Sequence, residues 1–279
     1  MARLICHYYV NKISDDTPLT AAECEVAMNE TIRQLKERKS VRVFENRTIS
    51  EELKREIVEA AFEAPTAGSM MLYGIIDVTD TQLKKQLAIA CDNQPFIMNA
   101  PVVLVFLADY QRWYDAFCQA DCKPRKPGEG DLLLACADAI IAAQNTVVAA
   151  ESLGIGSCYI GDILENCETV RELLQLPEYV LPAAMLVYGY PAESQIKRKK
   201  PVRFEKEYLV YENQYRRLSK EEQRQMHIVR NKKAGLPEKD VSEGIAALCN
   251  RKYMSDFSLE MNRSAALYLE SFRHGPEEE

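Results

Sequence analysis

The residues with the clearest chemical potential form a short basic run, Arg38-Lys39-Ser40-Val41-Arg42-Val43-Phe44, placed just before a predicted helix. Cations four residues apart project in the same direction from a helical turn, and Ser40 lies between the two arginines in sequence. Guanidinium groups present planar forks of donors, so this run could hold a phosphate by charge and by hydrogen bonds. A solvated basic turn has the same composition, and the run alone does not decide between the two.

Two further segments suit contact with a ligand. Pro65-Thr66-Ala67-Gly68-Ser69 is a small-residue loop, whose backbone can approach a ligand closely because no large side chain obstructs it. Gln94 lies in a predicted turn and carries an amide that both donates and accepts hydrogen bonds. Each has an ordinary alternative, a helix-to-strand turn for the loop and a local backbone contact for the amide.

Three glycines in the stretch Gly154-Ile155-Gly156-Ser157-Cys158-Tyr159-Ile160-Gly161-Asp162 superficially match a dinucleotide-binding loop. That motif requires a strand, then glycines, then a helix, whereas here the glycines follow a long predicted helix and lead into a short strand. Gly154 is therefore predicted to end the helix, and Gly161 is left as a place where bare backbone could meet a planar ligand.

The densest basic run, Lys197-Arg198-Lys199-Lys200, follows a predicted core strand directly. Phosphate ligands are often supplied from such a position, although a run of four cations also suits a solvated surface. Residues 109–127 form a polar insertion that contains Trp113, and it is predicted either to line a pocket or to pack as a short surface helix.

Composition excludes several classes of protein. The net charge of −7 argues against general nucleic-acid binding, which requires a basic surface. The nine cysteines contain no Cys-x-x-Cys pair, and together with three histidines they form no zinc-like spacing, so we expect reduced thiols in a cytoplasmic protein. The amino terminus does not resemble an export signal, and the apolar stretch 132–150 carries Asp138 in its interior, as a helix buried in protein does.

The elements that must position these residues follow from apolar periodicity and capping residues. Helices are predicted at about 21–36, after Ser50 as far as Pro65, after Asp80 to about 91, and at 131–153, 168–176, 221–233 and 251–272. Core strands are predicted at 73–79, 102–107, 158–160 and 184–191.

Together these segments resemble the FMN-dependent nitroreductase family, and more narrowly its oxygen-insensitive NADPH nitroreductase and flavin reductase branch. The run 38–44, the loop 65–69, the segments 149–156 and 159–161, and the segment 181–193 carry the resemblance. Their order and spacing are specific, whereas no single motif is. The resemblance covers residues 30–225 well, the C-terminal helices more loosely, and the first 25 residues not at all.

The resemblance implies an α+β fold in which a mixed, mostly antiparallel sheet is packed between helices. It also implies an intertwined homodimer with one FMN at each end of the interface. The chain then divides into an N-terminal extension (1–25), an FMN-binding domain (26–218) and a C-terminal helical extension (219–279).

Cofactor-binding residues are carried over from the same resemblance. Arg38, Lys39, Ser40 and Arg42 are expected at the FMN phosphate, ribityl and pyrimidine groups. Pro65, Thr66, Ala67 and Gly68 are expected beside the cofactor of the other subunit, and Gln94 at the ring or the ribityl chain. Tyr159, Ile160 and Gly161 are expected to back the isoalloxazine, and Arg198 and Lys200 to supply the basic pair, with Lys197 and Lys199 as the alternative register.

The implied reaction moves a hydride from NADPH or NADH through bound FMN to a small-molecule acceptor, namely a nitroaromatic, a quinone or free flavin, in a ping-pong cycle. No Ser-His-Asp set, Cys-His pair or metal cluster is recognisable, so no protein side chain is assigned as the catalyst. Arg230, Lys232 and Lys233 are candidates for a nicotinamide 2′-phosphate. The alternatives are a narrower reaction, such as enone reduction or reductive dehalogenation, and a flavin-binding sensor without turnover.

Two departures from the family pattern bear on the substrate. The loop after the first core helix offers few hydroxyls, because Ala67 and Gly68 stand where serines are frequent. Asp162 stands where a second glycine is common, and its charge is expected to disfavour an anionic reduced flavin or an anionic substrate.

Overall fold

A four-stranded antiparallel sheet forms the centre of the structure, a computed structural model that describes residues 29–236 and 241–273. Its strands are β1 (Tyr73–Asp77), β2 (Val102–Asp109), β3 (Gly156–Ile160) and β4 (Val180–Gly189), in the spatial order β1-β2-β4-β3. The three pairings among these described strands are all antiparallel. The predicted α+β class is confirmed.

Helices cover both faces of this sheet. In chain order they are α1 (Glu30–Glu37), α2 (Glu51–Glu59), α3 (Thr81–Ala90), α4 (Pro95–Met98), α5 (Gln111–Gln119), α6 (Glu129–Ser152), α7 (Cys167–Leu174), α8 (Glu193–Lys197), α9 (Lys220–Lys233), α10 (Val241–Leu248) and α11 (Asp256–Glu270). One core cluster joins α3 and α7 to one face of β2, β3 and β4, and a second joins α2 and α6 to the other face of the sheet. The expected sheet between helices is therefore present.

Local signals placed several helix ends correctly. The Ser50 hydroxyl accepts the Leu53 N–H at 3.4 Å, and the Asp80 carboxylate accepts the Leu83 N–H at 2.7 Å. Gly154 has a φ of +72°, the left-handed conformation that glycine adopts at low cost just after a helix. These caps are confirmed.

Four predicted bounds are wrong. The helix after Ser50 ends at Glu59, and turns at 60–63 separate it from Pro65. The first helix begins at Glu30, because Asn29 is extended and its side chain accepts the Ile32 N–H; residues 21–28 of that prediction lie outside the described residues. The last helix begins at Asp256, after an extended Ser255 and a separate α10. Strand β4 starts at 180, because Pro182 is accommodated where the register with β2 shifts.

Helix α6 lies across the sheet and contacts all four strands. Ala135, Ala139 and Ala142 are fully buried on it, and their small side chains allow the helix to approach the strands closely. It is the one helix among the described residues that is long and apolar enough to cross a membrane. Its strand contacts and the buried Asp138 identify it as the core helix of the sheet.

Candidate functional site

The basic run leaves the C-terminal end of α1 and lies along strand β3. The Val41 N–H donates to the Ser157 carbonyl at 2.9 Å, which adds the run to the edge of the sheet. A Cβ atom on Gly156 would lie 2.5 Å from the Val41 side chain, so glycine is required there for this close approach. The run is thereby fixed beside the strand that leads to Gly161.

Arg38, Ser40 and Arg198 meet in one basic cluster. The Arg198 guanidinium donates to the Ser40 carbonyl, although 158 residues separate them in sequence. The Nε atoms of both Arg38 and Arg198 are buried and have no hydrogen-bond partner among the described residues. Burial raises the pKa of the adjacent Cys158 thiol, and Arg42, Ser40, Arg38 and Arg198 act in the opposite direction.

Two buried guanidinium donors without partners are costly unless an anion accepts from them. A phosphate suits this cluster, because its oxygens accept several charge-assisted hydrogen bonds at once. The cluster therefore has the chemistry of a phosphate cradle, and the contact of Arg38, Ser40 and Arg198 with a phosphate stays a prediction.

The two neighbouring lysines are engaged with backbone instead. Lys39 Nζ donates to the carbonyl oxygens of Ile196 and Arg198, at 2.8 and 2.5 Å. Lys200 Nζ donates to those of Leu35 and Lys36, at 3.0 and 2.6 Å, at the end of α1. Both ammonium groups hold segment 196–200 against the basic run, and their contact with a phosphate stays a prediction.

Lys197 and Lys199, the alternative pair for the phosphate, are more exposed than Arg198 and Lys200. Lys197 is exposed and forms an ion pair of 2.6 Å with Glu193 on its own helix, and Lys199 is exposed as well. Of the four consecutive cations, Arg198 is the one whose side chain joins the cluster of Arg38 and Ser40.

Gln94 contacts the loop after β3 through Asp162, and its contact with a ligand stays a prediction. Gln94 Nε2 donates to Asp162 Oδ2 at 2.9 Å and to the Cys91 carbonyl at 3.0 Å. Gly161 is exposed, and a Cβ placed on it would meet nothing within 4 Å. The guanidinium of Arg42 lies 5.8 Å from the centre of the Phe96 ring, two residues after Gln94. The open backbone of Gly161 can thus meet a flat ligand.

Tyr159 and Ile160 point to opposite faces of β3. The Ile160 side chain is 1% exposed inside the core, so a ligand can reach its backbone but not its side chain. Tyr159 is half-buried, its hydroxyl lies 3.4 Å from Gln144 Oε1, and burial raises the pKa of its phenol to about 12. Sequence alone did not separate these two roles.

The small-residue loop is fixed by a buried carboxylate of α6 that the sequence did not assign to the site. The Thr66 hydroxyl donates to Asp138 Oδ2, and the N–H groups of Ala67 and Leu72 donate to the same carboxylate at 3.0 and 3.1 Å. Thr66 Oγ1 also accepts the Met71 N–H at 2.8 Å. A lone acid in an apolar helix was the available signal, and it was interpreted as evidence for burial alone.

This loop also carries strained backbone. Gly68, Ser69 and Met71 have φ angles of +56°, +57° and +50°, and the last two are not glycines. Helix α5 holds the strained segment, because Trp113 Nε1 donates to the Met70 carbonyl at 2.7 Å and Arg112 to the Met71 carbonyl at 2.5 Å. Such strain often marks a ligand-contacting loop.

A cavity of about 560 Å³ adjoins this loop, and Phe62, Met70, Met71, Arg112 and Trp113 are among its lining residues. The insertion 109–127 thus contributes both a packed helix and a pocket wall, which were the two alternatives open from sequence.

Within one chain the loop and the basic cluster lie apart. The loop precedes β1 and the cluster lies against β3, and these strands are opposite edges of the sheet. Asp138, which holds the loop, and Glu151, which faces Arg38, are 13 residues apart on α6, or about 20 Å along its axis. Pro65, Thr66, Ala67 and Gly68 are therefore not brought to Arg38 by a single chain.

Two of the cations that were candidates for binding the 2′-phosphate of the nicotinamide donor have contacts within the chain. Arg230 lies over the Phe204 ring at 4.8 Å, and Lys233 forms an ion pair of 2.7 Å with Glu205. These contacts dock α9 on segment 204–205. No group of three His, Cys, Asp or Glu side chains in residues 29–236 and 241–273 could hold a metal ion.

Comparisons with known proteins agree with this architecture. The chain matches the model described as "Nitroreductase family" over residues 35–190. It is 32% identical over 191 residues to an NADPH-dependent oxidoreductase of Staphylococcus aureus, covering 67% of this chain and 75% of that protein.

Two solved structures extend the likeness to most of the fold. NfrA2 of B. megaterium is 29% identical with a TM-score of 0.70, covering 85% of this chain and 98% of that chain. An NADPH:FMN oxidoreductase of Vibrio harveyi, complexed with NAD+, is 26% identical with a TM-score of 0.69, covering 86% of this chain and 98% of that chain.

Proposed function

The chain belongs to the nitroreductase family, and on that premise we propose that it is a cytoplasmic, homodimeric FMN-dependent oxidoreductase. It takes a hydride from NADPH or NADH and delivers it to a nitroaromatic, a quinone or free flavin. The cycle is ping-pong, so the oxidised nicotinamide leaves before the acceptor binds at the same face. The similar proteins of Staphylococcus aureus and Vibrio harveyi, by their names an NADPH-dependent oxidoreductase and an NADPH:FMN oxidoreductase, support the donor and the cofactor.

The observation that carries this proposal is the basic cluster with its two unpartnered guanidinium Nε atoms. Arg38 and Arg198 would bind the FMN phosphate by donating to its oxygens, next to Ser40. Gly161 supplies open backbone for the flat ring, and Gln94 supplies an amide at the same loop. These groups fit a phosphorylated planar cofactor.

FMN supplies the hydride chemistry when it is bound, and the protein supplies binding and orientation. Arg38 and Arg198 fix one end of the cofactor by charge. The backbone at Gly161 orients the other end, and Cys91, the residue that follows helix α3, anchors Gln94 behind it. Each described role is one of holding a group in place, so no side chain has to act as an acid or a base.

A second copy of the chain would complete the site. Helix α6 exposes an apolar stripe that includes Leu133, Leu134, Ile140 and Ile141, the first 72% exposed, although the opposite side of the helix is core. Residues three, four and seven positions apart share one face of a helix, so this stripe is a continuous surface suited to a partner. Pairing through it would bring the Pro65–Gly68 loop of one subunit toward the cluster of the other.

The experiment that tests the proposal is an anaerobic absorbance spectrum of the purified protein, recorded before and after addition of NADPH and then of NADH. An oxidised-flavin spectrum that bleaches and returns on addition of a nitroaromatic or a quinone is expected. The donor that bleaches it faster is the preferred nicotinamide.

Two results would contradict the proposal. A protein that stays colourless after incubation with FMN has no functional cradle at Arg38, Ser40 and Arg198. Bound FMN that neither nicotinamide bleaches would instead indicate a flavin-binding protein without turnover.

A further inference from the structure

We propose that Asp162 selects the electron acceptor by charge, because its carboxylate is fixed beside Gly161 and repels anionic acceptors. The inference rests on the proposed function, since Gly161 is the open backbone assigned there to the cofactor ring. It adds a substrate preference, for neutral or cationic acceptors over anionic ones, and it assigns that preference to one side chain.

The position of Asp162 is fixed by hydrogen bonds. Gln94 Nε2 donates to Asp162 Oδ2 at 2.9 Å, and the same amide donates to the Cys91 carbonyl at 3.0 Å. Asp162 also begins a short 3-10 turn whose last N–H, that of Glu165, donates to the Asp162 carbonyl at 3.0 Å. Backbone and side chain are thus both held.

The charge of Asp162 is not neutralised within the chain. Its side chain is half-buried, and no lysine or arginine of the described residues forms an ion pair with it. With the cofactor ring placed at the open backbone of Gly161, an acceptor that binds at the ring therefore lies near a carboxylate that no cation compensates. A like charge at short range disfavours binding, most strongly at low ionic strength.

Glu165 stands directly behind Asp162 and adds a second acidic group. Its side chain is 4% exposed, and its Oε1 atom has no hydrogen-bond partner among the described residues. Burial raises the pKa of Glu165 to about 7, and the facing carboxyl groups of Asp162, Asp92 and Glu260 act in the same direction. Glu260 itself is paired with Arg263 at 2.8 Å.

The sign of the pH effect follows from that raised pKa. Below about pH 7 Glu165 is neutral and the loop carries the single charge of Asp162. Above it Glu165 ionises and a second negative charge adds to the first. Discrimination against anionic acceptors should therefore increase as the pH rises through about 7.

The test compares 4-nitrobenzoate with 4-nitrobenzamide, which have nearly the same shape and differ in charge. Both are titrated into the oxidised, FMN-loaded protein without a nicotinamide, and flavin difference spectra give the two dissociation constants. The values of kcat/KM with NADPH are measured in parallel. The quantity of interest is the ratio for the neutral over the anionic compound, in which general effects of a variant on the site cancel.

Asp162→Asn should lower this discrimination by roughly three- to tenfold at low ionic strength, which is the effect of one partly screened charge. Glu172→Gln is the matched control, because it removes an equal charge from an exposed position on α7 and should leave the ratio within about twofold. Glu165→Gln should keep the wild-type ratio at pH 6 and abolish its increase between pH 6 and pH 8.

The outcomes separate the two proposals. Bound FMN with a discrimination ratio that Asp162→Asn leaves unchanged overturns the selectivity of Asp162 and spares the proposed function. FMN that binds but does not turn over refutes the enzyme, while the dissociation constants still decide the role of Asp162. Protein that binds no FMN refutes both.

Discussion

Replacing Arg198 by glutamine should weaken FMN binding and leave riboflavin binding almost unchanged. One guanidinium nitrogen of Arg198 is used by the Ser40 carbonyl, and the buried Nε–H remains free for a ligand. A hydrogen bond to a charged group contributes about 1.5–3 kcal/mol, and each 1.4 kcal/mol is tenfold, so the FMN dissociation constant should rise about 10- to 150-fold. Riboflavin lacks the phosphate and should lose less than about threefold.

The assay is titration of the apoprotein with each flavin, followed by quenching of flavin fluorescence. Lys197→Gln is the control, because it removes an equal charge from the neighbouring residue. The Lys197 side chain is 72% exposed and paired with Glu193. Urea unfolding of the variants checks that loss of the Ser40 contact has not disrupted the fold.

The reasoning about Arg198 is refuted by either of two results. The first is an equal loss for FMN and riboflavin, which would mean that the side chain supports the fold or the ring instead of the phosphate. The second is an equal effect of Arg198→Gln and Lys197→Gln, which would mean that general charge attraction is sufficient.

Three further predictions concern the fold and the assembly. Asp138→Ala leaves the Thr66 hydroxyl and two backbone N–H groups without their acceptor, so the free energy of unfolding should fall by about 3–5 kcal/mol in urea titration; a loss below about 1 kcal/mol contradicts the network. The stabilisation from the raised pKa of Glu165 is present at low pH and lost as the pH rises through about 7. The Tm of Glu165→Gln minus the Tm of wild type should therefore be larger at pH 8.5 than at pH 5.5, and an equal difference at both would contradict the raised pKa. The double variant Leu133→Lys with Ile140→Lys places charge on the exposed stripe of α6 and should elute as a monomer in light-scattering chromatography, whereas an unchanged dimer excludes the stripe as the interface.

Local chemistry made much of the fold predictable. The unbroken apolar run 102–107 became β2, one of the two inner strands, whose residues Val103 to Phe106 are fully buried, because such a run can be satisfied only between two covered faces. Ser50, Asp80 and Gly154 fixed helix ends because a cap depends on residues within one turn. Where the apolar pattern was ambiguous, between α10 and α11, the predicted start of the last helix was wrong.

The site was predictable in its residue types and less so in their roles. The basic run was recognised from charge and spacing, Arg198 was selected by the family resemblance, and the fold brings Arg198 to Ser40 of the run. The engagement of Lys39 and Lys200 with backbone carbonyls was not foreseen, because those partners are about 160 residues away in the chain. Successive side chains of a strand point to opposite faces, so Ile160 lies in the core and Tyr159 is half-buried beside Gln144.

The sequence by itself therefore determined the class of fold, the inner strand β2, the helix caps and the basic character of the candidate cradle, since each follows from neighbouring residues. Only the tertiary structure decided that Asp138 holds the Thr66 loop, that this loop and Arg38 lie at opposite edges of the sheet, and that Glu165 is buried behind Asp162. The physical reason is that burial, unpaired donors and shifted pKa values depend on which distant segments pack together, and no local pattern of residues specifies that packing.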